Sequence, residues 1–225
     1  AGLIILTAMH VHHSGQNTGH FVYDRDDMPA KFRRISDALH QHGTKTIQQL
    51  FHFGAQGKSD GRDDLTPLWS FSGTPSTEGE ASHEMTNDEI EEIIQAFVDT
   101  AVIAVENGMD GVELHGTHGY LIQQSFSPYA NKRTDIWGER LHFASTLGRR
   151  VREAIGPEAV LGLRISSDDF IRPEAGGLGH QGLCDIAADL VSLGHFDYLN
   201  HSEGAGGAHY ARAIGSYRHP FGEYL

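Results

Sequence analysis

Cysteine is nearly absent from this chain of 225 residues. The single Cys184 excludes an internal disulfide, and one thiolate alone holds neither an iron–sulfur cluster nor a structural zinc ion. That usage fits a reducing, cytoplasmic compartment. Basic residues are also scarce, 17 Lys and Arg against 30 Asp and Glu, for a formal net charge of −13. A nucleic-acid partner, which needs a basic footprint, is therefore not expected. Long apolar runs are missing too. The longest, Gly2 to Ala8, falls far short of the roughly 20 residues of a membrane span and has no basic segment of the signal-peptide kind, so neither a membrane nor a targeting segment is expected. What the chain does have is a globular composition, 39% hydrophobic and 21% charged, together with 16 histidines and 27 glycines. The histidines gather near the ends of apolar runs, which is where function is sought.

Short apolar runs alternate with amphipathic segments, the pattern of βα units around a parallel sheet. Strands are predicted at Leu3–Thr7, Lys45–Leu50, Gly111–Leu114, Val160–Ile165 and Asp197–Asn200, each rich in Ile, Leu or Val as a sheet buried on both faces requires. Between them the spacing predicts helices at Asn87–Glu106, opened by the capping box Thr86-Asn87-Asp88-Glu89 and stopped by Gly108, and at about Pro29–His42, Phe143–Ile155 and Gly182–Leu193. The acidic run Asp88–Glu92 reads as a first turn complementing its helix dipole, and Cys184 as a small buried side chain. Strand starts recur about every 48 residues, generous for a barrel unit with loop insertions, and eight such units do not fit the chain. The expectation is an α/β fold, a (β/α)₈ TIM barrel of which residues 1–225 form one partial domain with about five βα units. The first strand and the last two would lie outside the chain. The long loop Gly54–Met85 is expected to be functional, whereas the glycine-rich runs Gly176–Gly179 and Gly204–Gly207 lack the strand-to-helix context of a dinucleotide fingerprint and read as plain loops.

A barrel of this kind builds its active site at the C-terminal ends of its strands. There the chain places His10, His12 and His13, then Gln49 and His52, then His115, His118 and Tyr120, then Arg164, and finally His201. Five successive strand ends carrying imidazole, amide, phenol or guanidinium are more polar than packing requires.

The run His115-Gly116-Thr117-His118-Gly119-Tyr120-Leu121, with Ser127-Pro128-Tyr129-Ala130-Asn131-Lys132-Arg133-Thr134-Asp135 after it, resembles the old yellow enzyme family of NADH:flavin oxidoreductases, within its group similar to 2,4-dienoyl-CoA reductase and trimethylamine dehydrogenase. The resemblance runs from end to end of the chain. It implies FMN as cofactor, NAD(P)H as reductant and a small-molecule substrate, and it leaves a homo-oligomer open. By the same resemblance His115 and His118 bind a substrate carbonyl and Tyr120 donates a proton. Gln49 looks like the glutamine on the flavin pyrimidine edge, Arg164 like the arginine beside flavin N1 and O2, and Thr7 and Ala8 like strand residues near the flavin. Any cysteines for a 4Fe-4S cluster would lie outside the chain. Two departures stand out. Asp135-Ile136-Trp137-Gly138-Glu139-Arg140 is shorter than the usual family run, and His52-Phe53-Gly54-Ala55 replaces His-x-Gly-Arg. The latter, with Asn131–Asp135, is more similar to the amine dehydrogenases of the group and turns the substrate expectation towards methylated amines.

Two rival readings remain at this stage. His10-Val11-His12 has the His-x-His spacing of zinc ligands, which His52, His115 and His201 could complete in a metal-dependent barrel hydrolase. A catalytically inactive barrel used for binding or assembly is the other.

Overall fold

The computed structural model describes residues 1–15, 21–22, 26–57, 66–75, 80–202 and 204. Six strands form one sheet in the order β2-β1-β3-β6-β7-β8, and every pairing is parallel. They are β1 (Leu3–His10), β2 (Phe21–Val22), β3 (Lys45–Phe51), β6 (Gly111–Gly116), β7 (Val160–Ser166) and β8 (Tyr198–Ser202). The helices α1 (Met28–His40), α2 (Asn87–Glu106), α4 (His142–Ile155) and α5 (Gly179–Ser192) fall between them, with a single short helix α3 (Leu121–Phe126) directly after β6. The α/β reading and its five main strands hold. The strand ends differ by a few residues, because β1 and β8 run on through polar side chains that interrupt the apolar pattern. No helix among the described residues is long and apolar enough to cross a membrane.

One face of the sheet is covered by helices. Leu50, Val112, Leu114, Leu161, Leu163 and Ile165 point to it and join Ile90, Ile93, Ile94, Phe97, Phe143, Leu147 and Leu190 in a single core cluster. Since each of these side chains is worth about 1.5–3 kcal/mol on full burial, this layer supplies most of what holds the fold together. Helix α2 carries the predicted device: Thr86 Oγ1 accepts from Glu89 N at 3.2 Å while Glu89 Oε2 accepts from Thr86 N at 2.6 Å. The opposite, inner face is different from expectation. Alternation along the strands puts Gln49, Phe51, Glu113, His115, Arg164, Tyr198 and Asn200 there, so the sheet is largely buried on both faces but apolar on only one. Gly162 makes room for this arrangement, because a Cβ in its place would lie 2.2 Å from the Tyr198 ring.

The long loop after β3 is partly ordered by its own structure, a parallel pair β4 (Leu68–Ser70) and β5 (Ser82–Glu84). Arg133 ties it to the segment after α3: Nη1 donates to Met85 O at 2.6 Å and to Phe71 O at 3.3 Å, and Nη2 to Asn87 Oδ1 at 3.0 Å. The Asp135 carboxylate at the guanidinium raises the Arg133 pKa against the opposing effect of burial. Cys184 is half-buried rather than buried, beside His180 one helical turn earlier. Residues 205–207 of the second glycine-rich run lie outside the described chain.

Candidate active site

The residues predicted at the ends of β1, β3 and β6 come together in one aromatic cluster. His10 stacks on Phe51 with ring centroids 4.3 Å apart, and Phe51 meets Tyr120 at 5.5 Å and His115 at 5.9 Å. Phe53 closes on Tyr120 edge-on at 4.9 Å. His115, His118 and Tyr120 form a triangle with centroids 5.1, 5.2 and 5.8 Å apart. The turn that creates this triangle is strained. His118 has φ +61°, a left-handed conformation uncommon for a residue with a Cβ, and Gly119 follows at φ +72°.

That turn is fixed by partners the sequence reading did not find. Thr117 Oγ1 and Ser166 Oγ lie 2.6 Å apart, Ser166 Oγ donates to Gln123 Oε1 at 3.1 Å, and the same oxygen accepts from Gly119 N at 2.7 Å. Gln124 joins the two loops by donating to Gly119 O at 2.6 Å and Phe53 O at 3.2 Å while accepting from Ala55 N at 3.2 Å. Ser202 Oγ bridges the site on its β8 side, 2.8 Å from His118 Nε2 and 3.3 Å from Arg164 Nη2. His201, the residue singled out on β8, pairs with Ile165 and is exposed. Side chains alternate along a strand, so a shift of one position exchanges the faces, and the site residue is Ser202.

Gln49 and Arg164 sit on the inner face. Between β1 and β3 the register runs Leu6 to Gln48 and then Met9 to Leu50, so Thr7 and Ala8 together face the single residue Gln49 in a β-bulge. Such bulges re-aim the chain beside functional sites. The Thr7 side chain is exposed, and its carbonyl accepts from Gln48 Nε2 at 2.8 Å.

No carboxylate among the described residues lies within ion-pair distance of Arg164. Among the described residues its Nε is buried with no hydrogen-bond partner, as is Nδ1 of His115. Burial, then the His118 and Arg164 charges, holds the His115 imidazole well below its ordinary pKa; burial and then Arg164 push His118 down to about 4. Both rings are thus neutral near pH 7, each with one N–H to donate. An orphaned guanidinium N–H and an orphaned imidazole nitrogen, each of which loses about 1–3 kcal/mol when left unsatisfied, fit a polar or anionic ring system laid against this face, as a flavin would be.

Nothing in this geometry supports the metal alternative. His12 uses Nδ1 with Ser14 Oγ (2.7 Å) and Nε2 with Glu92 (3.0 Å); His52 uses Nε2 with Ser14 Oγ (2.9 Å) and Nδ1 with Gly54 N (3.0 Å). Because the backbone N–H of Gly54 must donate, His52 Nδ1 accepts, which fixes its tautomer. His10 is stacked on an aromatic ring and His201 lies on the other face. Among the described residues, no three His, Cys, Asp or Glu side chains are gathered to hold a metal ion.

Known proteins share this architecture. An NADH oxidase of Thermoanaerobacter brockii is 39% identical over 76% of the chain, and an N,N-dimethylglycine/sarcosine dehydrogenase of Chromohalobacter salexigens is 37% identical over 75% of it. The chain spans only 27% and 24% of those two proteins' lengths. An old yellow enzyme homologue from Zymomonas mobilis superposes on 95% of the chain, and on 66% of its own, with a TM-score of 0.77 at 21% identity. The fold is therefore a portion of a (β/α)₈ barrel, whose inner face is the polar face described above. The model of the NADH:flavin oxidoreductase / NADH oxidase family matches residues 1–211, and the chain belongs to that family.

Proposed function

We propose that this chain is the FMN-binding part of an oxidoreductase that moves hydride between NAD(P)H, flavin and a small-molecule substrate. The observation that carries the reading is the pairing, on one inner face, of the Arg164 guanidinium, whose buried Nε has no partner among the described residues, with the triangle that neutral His115 and His118 form with Tyr120. Gln49 and Arg164 would hold the flavin, with Thr7 and Ala8 at the bulge beside Gln49. Bound there, FMN would supply the hydride chemistry. Arg164 offers a fixed positive charge that favours an anionic reduced ring. On an activated alkene, the N–H groups of His115 and His118 orient the carbonyl and stabilise the oxygen charge, and Tyr120 gives its phenolic proton to the adjacent carbon.

A methylated amine is the favoured substrate class in the oxidative direction. Its support is the His52-Phe53-Gly54-Ala55 and Asn131–Asp135 runs and the dimethylglycine/sarcosine dehydrogenase among the relatives. Here the same two imidazoles orient the amine, and the same phenol exchanges its proton.

The test is the visible spectrum of the full-length protein, with the acid-released flavin identified, followed by stopped-flow reduction with NADH, NADPH, and N-methylated amines and turnover of enones. Stoichiometric FMN reduced by one of these donors is expected. A colourless protein that takes up no FMN would overturn the reading. Tyr120→Phe is expected to slow substrate turnover by about 10² or more while reduction by NAD(P)H stays near wild type. Equal substrate turnover in the two forms would remove Tyr120 from the chemistry.

A further inference from the structure

Glu113 is a carboxylate with no exposed surface, at the middle of β6 on the inner face, and nothing in the proposed chemistry uses it. Three donors converge on it: Gln49 Nε2 at 2.5 Å, Tyr198 O–H at 2.9 Å and Asn200 Nδ2 at 3.0 Å. They come from β3 on one side and β8 on the other, across Gly162, whose missing side chain lets Tyr198 reach over β7. The Tyr198 phenol is raised above its ordinary pKa, by burial and then by this carboxylate, and so remains a donor.

A carboxylate can only accept. An amide side chain has one donating and one accepting end and can bind a neighbour either way round, so its polarity is set by what fixes one end. Glu113 requires Gln49 to present its NH₂ group. Gln49 Oε1, with no partner among the described residues, is then left as an acceptor on the inner face. The pyrimidine edge of an oxidised flavin offers two carbonyl oxygens and, between them, one donor, the N3–H.

We infer that Glu113 is a positioning residue: by holding the Gln49 amide in one orientation it makes Gln49 Oε1 an acceptor committed to the flavin N3–H. The inference rests on the flavin reading above and adds to it the residue that sets the polarity of flavin recognition. Tyr198 and Asn200 serve the same end by keeping the Glu113 carboxylate from turning away.

The experiment uses the full-length protein stripped of flavin, titrated with FMN and with 3-methyl-FMN, in which a methyl group replaces the N3 proton. The wild type is expected to bind FMN about tenfold more tightly than the methylated analogue, the loss of one buried hydrogen bond. In Glu113→Gln the neighbour of Gln49 can donate or accept, so either end of Gln49 can face the ring, and the preference is expected to shrink to about twofold. In a Gln49→Met background, Glu113→Gln should change the ratio no further, because its effect runs through Gln49. Glu113→Asp, which keeps the charge but withdraws the oxygens by about 1.5 Å, should also lose the preference and serves if the glutamine variant does not fold. A Glu113 variant that keeps the tenfold preference, or an effect that persists in the Gln49→Met background, overturns the inference and leaves the flavin reading standing. A wild-type protein that binds neither flavin overturns the flavin reading, and the inference falls with it.

Discussion

At the scale of single residues, the site depends on two imidazoles kept neutral by their surroundings. His118 is expected to titrate near 4 in the folded protein and near 6.5 once unfolded, and burial also holds His115 well below its ordinary value. For a base the sign follows directly: between pH 6.5 and about 4 the unfolded chain binds protons that the folded one refuses, so stability falls as pH falls through that window. Imidazole NMR of the folded protein should show no His118 titration between pH 5 and 8 and a midpoint near 4. Removing the titrating ring in His118→Asn should flatten the loss of denaturation midpoint between pH 6.5 and 4.5. An unshifted His118 midpoint would mean that Arg164 and burial do not act on it as the geometry implies. The same neutrality matters to the proposed chemistry, since a charged imidazolium beside Arg164 would compete with Tyr120, the proposed proton source.

At the scale of elements, the six residues of α3 are the part of the site that was least legible in the sequence. A single turn and a half shows no periodicity to read, and two consecutive glutamines look like surface residues, yet Gln123 and Gln124 are 2% and 4% exposed. Their amides are what fix the loops after β3 and β6. Gln124→Leu keeps the volume but strands Phe53 O, Gly119 O and Ala55 N without that partner. We expect a loss of about 2–4 kcal/mol, read from urea denaturation, the size typical of a broken buried network. A change under about 0.5 kcal/mol would show that the loops are held by other means. The five main strands and α2 were legible because outward-facing Ile, Leu and Val and a capping box announce them. The inner face was legible only at Gln49, His115 and Arg164, where a resemblance guided the choice. Glu113, Tyr198, Asn200 and Ser202 acquire meaning only when parallel register sets β3, β6, β7 and β8 side by side, which no local pattern encodes. Taking His201 instead of Ser202 is a one-residue error of that kind.

At the scale of the whole molecule, the two ends of the sheet are built on opposite terms. The C-terminal end carries positive φ at His118 and Phe170 and the orphaned atoms of His115 and Arg164. The N-terminal end is satisfied by a device used twice: the Asp before a strand accepts the backbone N–H of the preceding strand in the sheet. Asp197 accepts from Leu161 N at 2.7 Å, and Asp110 from Thr46 N at 2.8 Å. Asp110 also takes Lys45 Nζ and His40 Nε2, both at 2.7 Å, so one carboxylate ties α1, β3 and β6 together. Burial alone would raise its pKa, but these donors outweigh it and hold the carboxyl at about 2 against 3.8 for the free side chain. A depressed acid contributes stability that is complete above the unfolded value and is lost as pH falls from there through about 2. Asp110→Asn should therefore cost about 2 kcal/mol at pH 7, with the gap to wild type closing between pH 4 and 2. Because Asp110 lies at the N-terminal end of the strands, away from the C-terminal end where a barrel builds its site, the FMN affinity of the folded variant at pH 7 should match wild type. Chemical denaturation at pH 7 and at pH 2.5, paired with a flavin titration at pH 7, measures both. A variant with wild-type stability but weakened flavin binding would show that the two ends of the barrel are not independent.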